Sequence, residues 1–133
     1  MRVISGTARG TRLASLGSTD IRPTLDRVKE SFFNQVGPGL ENLTFLDLFA
    51  GSGSMGIEAL SRGAETVVFV EPNLEAQRII MQNLEKCRMT GGSPRWVLLK
   101  SSALAGLKTL KERNLSFDLV YVDPPFADDL YEI

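Results

Sequence analysis

Histidine is absent from this sequence of 133 residues, and its absence excludes several classes of enzyme. Without histidine there is no Ser-His or Cys-His nucleophile, no histidine-ligated metal and no histidine general base near neutral pH. Any chemistry must therefore rest on carboxylates, backbone groups and a cofactor. We predict no metal site.

Cysteine and long apolar runs are scarce as well. Cys87 is the single cysteine, so an intramolecular disulfide is impossible and a cytoplasmic location fits. Cys87 lies in a helical pattern, which indicates packing rather than chemistry. No apolar run approaches the ~20 residues of a membrane span, and the N-terminal MRVISGTARG lacks the apolar core of a signal peptide. We expect no association with a membrane.

Net charge is nearly absent, because 15 basic and 16 acidic side chains give −1. The distribution is uneven: residues 1–36 carry six basic and three acidic side chains, a net of +3, which leaves −4 for the remainder. A basic arm on an acidic body is typical of a protein with a polyanionic partner, although an ordinary solvated surface explains the same charges. The arginines proposed to contact such a polyanion are Arg2, Arg9, Arg12 and Arg22.

The hydrophobic pattern divides the chain into an N-terminal arm (1–23), a helix (24–36) and an alternating region (43–133). The apolar positions of the helix are Leu25, Val28, Phe32 and Val36. The later strands are predicted at 45–49, 66–70, 96–99 and 117–122, with helices through 57–60, 74–89 and 103–113 between them. Near-continuous apolar strands alternating with helices predict an α/β fold, a Rossmann-like doubly wound parallel sheet of order 3-2-1-4.

Residues 1–133 are therefore predicted to form a single domain. Open doubly wound sheets normally continue beyond a fourth strand, whereas this sequence stops about one turn after it. We expect the core to be incomplete at its C-terminus and the chain to be a truncated form.

A glycine-rich stretch, GSGSMG (51–56), matches G-x-G-x-x-G between a predicted strand and a helix. Glu71 ends the next strand, 20 residues after Gly51. Glycines let the backbone approach a ligand closely, and a carboxylate at a strand end can accept ribose hydroxyls. The motif alone favours NAD. Asp47, inside the first strand, argues against it, because a carboxylate there would repel a pyrophosphate but attract an ammonium group.

The stretch LVYVDPPF (119–126) ends a strand with an acid, two prolines and an aromatic ring. Pro124 and Pro125 cannot donate ladder hydrogen bonds, so the strand must end at Asp123. In a sheet of order 3-2-1-4 this loop stands beside the glycine-rich turn, at the carboxyl ends of strands 1 and 4. A strand end closed by a turn would explain the same residues without any function.

These motifs resemble a known family. The sequence resembles the S-adenosylmethionine-dependent methyltransferases of exocyclic amines in three stretches, FLDLFAGSGSMGIEAL, VEPN and VYVDPPF. The resemblance is narrowed by two N-terminal stretches, MRVISGTARGTRL and RPTLDRVKESFFN. With these stretches included, nearly the whole chain resembles the bacterial methyltransferases that methylate the N2 amine of a guanine in small-subunit (16S) ribosomal RNA. The resemblance implies S-adenosylmethionine as cofactor, and small-subunit ribosomal RNA or the assembling small ribosomal subunit as partner. We expect the enzyme to be a monomer.

The resemblance also implies roles for single positions. The methionine part of the cofactor would lie against Asp47, Ala50, Gly51 and Gly53. Glu71 would accept the ribose hydroxyls, with Pro72 and Asn73 lining the adenosine. Ser102 and Ala103 fall where the family usually has Asn or Asp before Ala to read the adenine amine, so Ser102 departs from the pattern. The catalytic loop would be Asp123, Pro124, Pro125 and Phe126, whose acid and carbonyl hold the amine and whose ring stacks on the base.

Other functions fit part of the pattern. An NAD-dependent oxidoreductase would explain the glycine-rich turn and Glu71, but not the Asp-Pro-Pro-Phe loop. A DNA adenine-N6 or protein-glutamine methyltransferase would use the same loop. A non-catalytic RNA-binding module would explain the basic arm, but not the turn. The guanine-N2 methyltransferase accounts for all three features.

Overall fold

The chain folds as a parallel sheet with helices on both faces. The structure, a computed structural model, describes residues 1–16, 23–91 and 95–124, with Pro23–Leu25 described as backbone only. Its elements are α1 (Pro23–Val36), β1 (Thr44–Asp47), α2 (Ser54–Ser61), β2 (Thr66–Val70), α3 (Leu74–Lys86), β3 (Arg95–Leu99), α4 (Ala103–Glu112) and β4 (Leu119–Tyr121). All strand pairs are parallel, in the order β3-β2-β1-β4. The predicted α/β class and strand order are confirmed.

Two apolar layers cover the sheet. On one face, α1, α2 and α3 pack over a core that includes Phe33, Phe45, Ile57, Phe69 and Ile80. On the other face, α4 inserts Leu110 against Leu46, Val68 and Val70. Side chains of one strand alternate between the two layers, as the period of a pleated strand requires. The pattern of near-continuous apolar strands therefore follows from burial on both sides.

The arm, residues 1–16, is a small antiparallel unit that packs on α2. Arg2 and Arg12 form its bridge, and the Val3 N–H donates to the Thr11 carbonyl at 2.9 Å. The arm reaches the end of α2, where the Thr7 N–H donates to the Ser61 carbonyl at 2.8 Å. A Cβ on Gly6 would stand 1.8 Å from that carbonyl oxygen, so only glycine allows this approach. Gly6 also has φ +93°, a conformation that L side chains disfavour.

The predicted buried face of the first helix is wrong in part. Val28 is 51% exposed, whereas Lys29 and Phe33 are each 1% exposed. The helix turns Lys29 inward because a buried carboxylate, Glu58, lies opposite it. Phe32 remains partly buried against the core, as predicted, and Leu25 is among the side chains outside the description.

Several element boundaries also differ from the sequence-based predictions. The first strand ends at Asp47 rather than at 49, because the chain turns through Leu48 and Phe49 into the glycine-rich turn. Helix α3 ends at Lys86, before Arg88 takes a left-handed φ of 59°. The first helix begins at Pro23, one residue before its predicted start. Bounds also differ for β3, β4 and α4, whereas those of β2 match.

Candidate active site

Backbone hydrogen bonds and glycine conformations shape the turn between β1 and α2. The Ala50 N–H donates to the Val70 carbonyl at 3.1 Å, and the Gly53 N–H donates to the Ala50 carbonyl at 2.8 Å. Gly53 takes φ +81° and precedes the first residue of α2, with no capping side chain. Within the turn, Ala50–Gly53, only Gly51 and Ser52 are partly exposed, so the turn presents the side-chain-free backbone of Gly51 at the carboxyl end of β1. Such a surface suits close approach of a ligand.

Asp47 is the buried acid beneath this turn. It ends β1, is 1% exposed, and its Oδ2 accepts a hydrogen bond from the Gly56 N–H at 3.0 Å. Burial raises the pKa of Asp47 to about 7, and the charges of Glu71 and Asp123 push it in the same direction against the Gly56 hydrogen bond. A carboxyl group with this pKa responds strongly to a nearby cation.

Glu71 lies directly after β2, on the other side of the turn. Its Oε1 accepts from the Gly51 N–H at 2.7 Å and its Oε2 accepts from the Asn73 N–H at 3.0 Å. These two bonds fix the carboxylate against the turn, although each oxygen can accept more than one hydrogen bond. Pro72 is exposed beside it, and Asn73 caps α3 by accepting from the Ala76 N–H.

Asp123 and Pro124 follow β4, next to β1. Register places Tyr121 opposite Asp47, and the Tyr121 hydroxyl lies 3.5 Å from the exposed Asp123 carboxylate. Burial, together with the charges of Asp123 and Asp47, raises the pKa of Tyr121 to about 12, so the phenol keeps its proton. Its ring packs edge-on against Phe32 with the centroids 5.2 Å apart. Of the proposed catalytic loop, Pro125 and Phe126 lie outside the described residues.

Ser102 and Ala103 begin α4 at the carboxyl end of β3. The Ser102 hydroxyl accepts a hydrogen bond from the Ala105 N–H at 3.2 Å, so it caps the helix. The departure noted in the sequence thus has a local structural use. Both residues lie at the same edge of the sheet as Glu71, since β2 and β3 are parallel neighbours.

The predicted RNA-binding arginines occupy the surface of the arm. Arg2, Arg9 and Arg12 are at least partly exposed, and Arg22 lies outside the described residues. Arg2 and Arg12 are directly opposite each other in the antiparallel bridge. Like charges at opposed positions disfavour the pairing by themselves, so a polyanion bound there would relieve the repulsion.

A buried ionic cluster, which the sequence pattern did not reveal, joins the arm to α1 and α2. Glu58 is fully buried and accepts from the Ile4 N–H at 2.9 Å and the Ser5 N–H at 3.0 Å. Its carboxylate also meets Arg62 Nε at 2.8 Å and Lys29 Nζ at 3.4 Å. Burial lowers the pKa of Lys29, against the attraction of Glu58. Hydrophobic periodicity cannot detect such a pair, because it assigns charged residues to the surface.

The described segments hold neither a cluster of metal ligands nor a helix that could span a membrane. Residues 1–16, 23–91 and 95–124 contain no group of three or more His, Cys, Asp or Glu side chains arranged to hold a metal ion. Among the helices formed by these residues, none has both the length and the apolar character needed to cross a bilayer.

Comparisons with known proteins agree with this architecture. Ribosomal RNA small subunit methyltransferase D of Haemophilus influenzae is 40% identical over 132 residues, which cover 99% of this chain and 67% of that protein. Its namesake in Escherichia coli (strain K12) is 36% identical over 132 residues, covering 99% and 63%. The solved structure of a hypothetical protein from Thermus thermophilus superposes with a TM-score of 0.81 at 30% identity, covering 99% of this chain and 73% of that one.

The chain thus spans about two thirds of the length of these relatives. The family model described as Conserved hypothetical protein 95 matches residues 1–133, so the match includes the arm, the glycine-rich turn and Asp123. The chain belongs to this family, Conserved hypothetical protein 95, and is related over nearly its whole length to ribosomal RNA small subunit methyltransferases.

Proposed function

We propose that the chain transfers a methyl group from S-adenosylmethionine to the exocyclic N2 amine of a guanine in small-subunit ribosomal RNA. The observation that carries the proposal is the convergence of three carboxylates at the carboxyl edge of the sheet. Asp47 ends β1, Glu71 follows β2 and Asp123 follows β4, and β1 pairs in parallel with both of the other strands. The charges of Glu71 and Asp123 raise the pKa of Asp47. Ligands of open α/β sheets bind at this edge, where the strand order reverses.

The residues around the turn fit the cofactor. Asp47 offers a buried carboxylate to the ammonium group of the methionine moiety, beside the partly exposed Gly51 and the buried Gly53. Glu71, already fixed by two backbone N–H groups, is oriented to accept the ribose hydroxyls. Pro72 and Asn73 line the adenosine, and Ser102 and Ala103 border the adenine at the next strand end. When bound, S-adenosylmethionine supplies an electrophilic methyl group on a sulfonium.

The Asp123 loop fits the methyl acceptor. An exocyclic amine is a poor nucleophile because its lone pair is delocalised into the ring. The Asp123 carboxylate and the Pro124 carbonyl accept hydrogen bonds from its two N–H groups, which turns the lone pair toward the methyl group. A nitrogen–carbon bond forms as the carbon–sulfur bond breaks, and the excess proton leaves to Asp123 or to water. Acceptors that bind the developing positive charge more tightly than the neutral amine lower the barrier.

The arm and the relatives favour RNA over other amine substrates. The two curated relatives described above are named as ribosomal RNA small subunit methyltransferases. The arm presents Arg2, Arg9 and Arg12 to solvent. Phe126 is proposed to stack on the target base, which must be unpaired or flipped to enter the loop. An NAD-dependent oxidoreductase leaves Asp123 and the basic arm without a role.

The test is methyl transfer by the protein and by an Asp123→Ala variant. Tritiated S-adenosylmethionine is offered with small ribosomal subunits, small-subunit ribosomal RNA, duplex DNA or protein, and the labelled nucleoside is identified after digestion. We expect N2-methylguanosine from ribosomal substrates and a loss of ~10²–10³ in single-turnover rate in the variant. The Glu112→Ala variant, which removes an exposed carboxylate at the end of α4, should keep the parent rate.

Three results would contradict the proposal. Labelled N6-methyladenine or methylglutamine would replace the guanine assignment with one of the other amine methyltransferases. If Asp123→Ala transfers the methyl group at the parent rate, the loop has no catalytic role and is only the turn that ends β4. Failure of the protein to bind S-adenosylmethionine in calorimetry would remove the methyltransferase assignment itself.

A further inference from the structure

The arm and the glycine-rich turn are held by the same two buried side chains, Lys29 and Asn83. We propose that these are positioning residues that couple the two sites, so that RNA bound to the arm strengthens cofactor binding at the turn. The coupling rests on the proposed function, which supplies both ligands. It goes beyond that function by assigning an energetic connection between the two binding sites.

Asn83, on α3, is the first connection. It is fully buried, and its Oδ1 accepts from the Ala14 N–H at 2.8 Å. Its Nδ2 donates to the Ala14 carbonyl at 2.9 Å and to the Ser52 carbonyl at 3.0 Å. Both amide hydrogens are therefore used, one on the arm and one on the turn. A displaced arm would leave the buried Asn83 amide without its Ala14 partners, so the position of the arm and the position of the turn depend on the same side chain.

Lys29, on α1, is the second connection. Its ammonium group donates to the Arg2 carbonyl at 2.6 Å and to the Ser54 hydroxyl at 2.9 Å. The adjacent Glu58 accepts the Ile4 and Ser5 N–H groups, so it holds the same part of the arm. Lys29 thus joins Arg2 of the arm to Ser54, the first residue of α2.

The two connections lie on either side of Gly53. Asn83 fixes Ser52 before it, and Lys29 fixes Ser54 after it. If the arm moves away, Asn83 loses Ala14 and Lys29 loses the Arg2 carbonyl. These two side chains are then less firmly oriented toward Ser52 and Ser54, and the turn geometry that receives the cofactor becomes less favourable. RNA phosphates bound to the arm arginines favour the docked arm. By linkage, the cofactor strengthens RNA binding by the same factor.

The first measurement uses the unmodified protein. The dissociation constant of S-adenosylhomocysteine is measured by calorimetry at low salt, with and without saturating oligouridylate. This product cannot react and lacks the sulfonium charge, and oligouridylate offers phosphates without a guanine for the Asp123 loop. We expect oligouridylate to tighten S-adenosylhomocysteine binding by about five-fold or more, the lower end of typical couplings.

The outcomes separate the coupling from the proposed function. Equal dissociation constants with and without bound oligouridylate overturn the coupling and leave the methyltransferase assignment intact. Failure of S-adenosylhomocysteine to bind overturns the assignment and the coupling together. Failure of oligouridylate to bind removes the arm's proposed ligand, and the coupling with it, while cofactor binding still supports the methyltransferase.

Variants then test whether Lys29 and Asn83 carry the effect. Ser54→Ala removes the Lys29 connection without opening a core cavity, and Asn83→Ala removes the other one. Each should reduce the oligouridylate effect at least two- to three-fold, and the combination should abolish it, while both ligands still bind. Gln82→Ala, an exposed amide on the same helix, is the matched control and should keep the full effect. If Asn83→Ala does not fold, Ser54→Ala alone decides, and an undiminished effect in it contradicts the role of Lys29.

Discussion

The buried acid beneath the glycine-rich turn predicts a pH dependence of stability that one substitution should remove. Burial raises the pKa of Asp47 from 3.8 to about 7 in the folded protein. The unfolded chain has no such burial, so its Asp47 ionises near the ordinary value. Between these two pKa values the folded state binds more protons than the unfolded state. The free energy of unfolding contributed by Asp47 therefore falls as the pH rises from about 4 to about 7.

The magnitude follows from the size of the pKa change. A rise from 3.8 to about 7 corresponds to an upper limit of roughly 4 kcal/mol at pH 8. Asp47→Asn removes this term, because the amide never ionises and its oxygen can still accept from the Gly56 N–H. We expect the variant to match the parent near pH 4 and to be more stable by roughly 2–4 kcal/mol at pH 8.

The assay is urea unfolding from pH 4 to pH 8, followed by the fluorescence of Trp96, the single tryptophan. The difference between variant and parent cancels the titrating groups that do not interact with Asp47; Glu71 and Asp123 do interact with it. Asp123→Asn serves as a control. Loss of the Asp123 charge should lower the pKa of Asp47 by less than burial raises it, so this variant should keep a pH dependence due to Asp47. A difference that stays constant across this pH range would refute the reasoning. In the parent, binding of the cofactor's ammonium group at pH 6 should release a proton, which calorimetry in buffers of different ionisation enthalpy would detect.

Three further predictions concern the cofactor site and the arm. Glu71→Ala should weaken S-adenosylmethionine binding roughly ten- to a hundred-fold by calorimetry, because a charge-assisted contact is worth ~1.5–3 kcal/mol; unchanged affinity would contradict the ribose assignment. Replacing Arg2, Arg9 and Arg12 with alanine should reduce the log–log salt slope of RNA binding by about 2 and leave the affinity for the cofactor alone unchanged; an unaltered slope would make the arm purely structural. Gly6→Ala should expose Arg9 and Arg12 to trypsin, because its Cβ would meet the Ser61 carbonyl, whereas Gly10→Ala, with φ +87° but no atom within 4 Å of its Cβ, should remain resistant; equal cleavage of both variants would mean that close contact does not hold the arm.

The fold was predictable from the sequence because its signals are local. The run TVVFV at 66–70 is rich in β-branched residues and lies between Glu65 and Glu71, and β2 has the predicted bounds. The order β3-β2-β1-β4 then followed from the fold class, since strands alternate with helices along the chain. Together these bring the glycine-rich turn next to Asp123, as expected.

The interior of the candidate site was less predictable because it depends on long-range polar contacts. Lys29 reads as a surface residue, yet it is buried against Glu58, to which no spacing rule connects it. Asn83 likewise falls among the apolar positions of α3, and its partner Ala14 belongs to the arm. Met81 shows the reverse, because it is apolar and yet 40% exposed. Hydropathy assigns single residues to inside or outside, whereas these positions are decided by their hydrogen-bonding partners.

The contacts that hold the arm also have a consequence for the order of folding. Ile4 and Ser5 bond to Glu58 across 54 and 53 residues, and Ala14 bonds to Asn83 across 69. During synthesis the arm emerges before α2 and α3, so it has no surface to dock on until these helices have been made. Closing such long loops is entropically costly, so these contacts form late. Interactions absent from the transition state act on the unfolding rate, and we expect the docked arm to slow unfolding while leaving the folding rate almost unchanged.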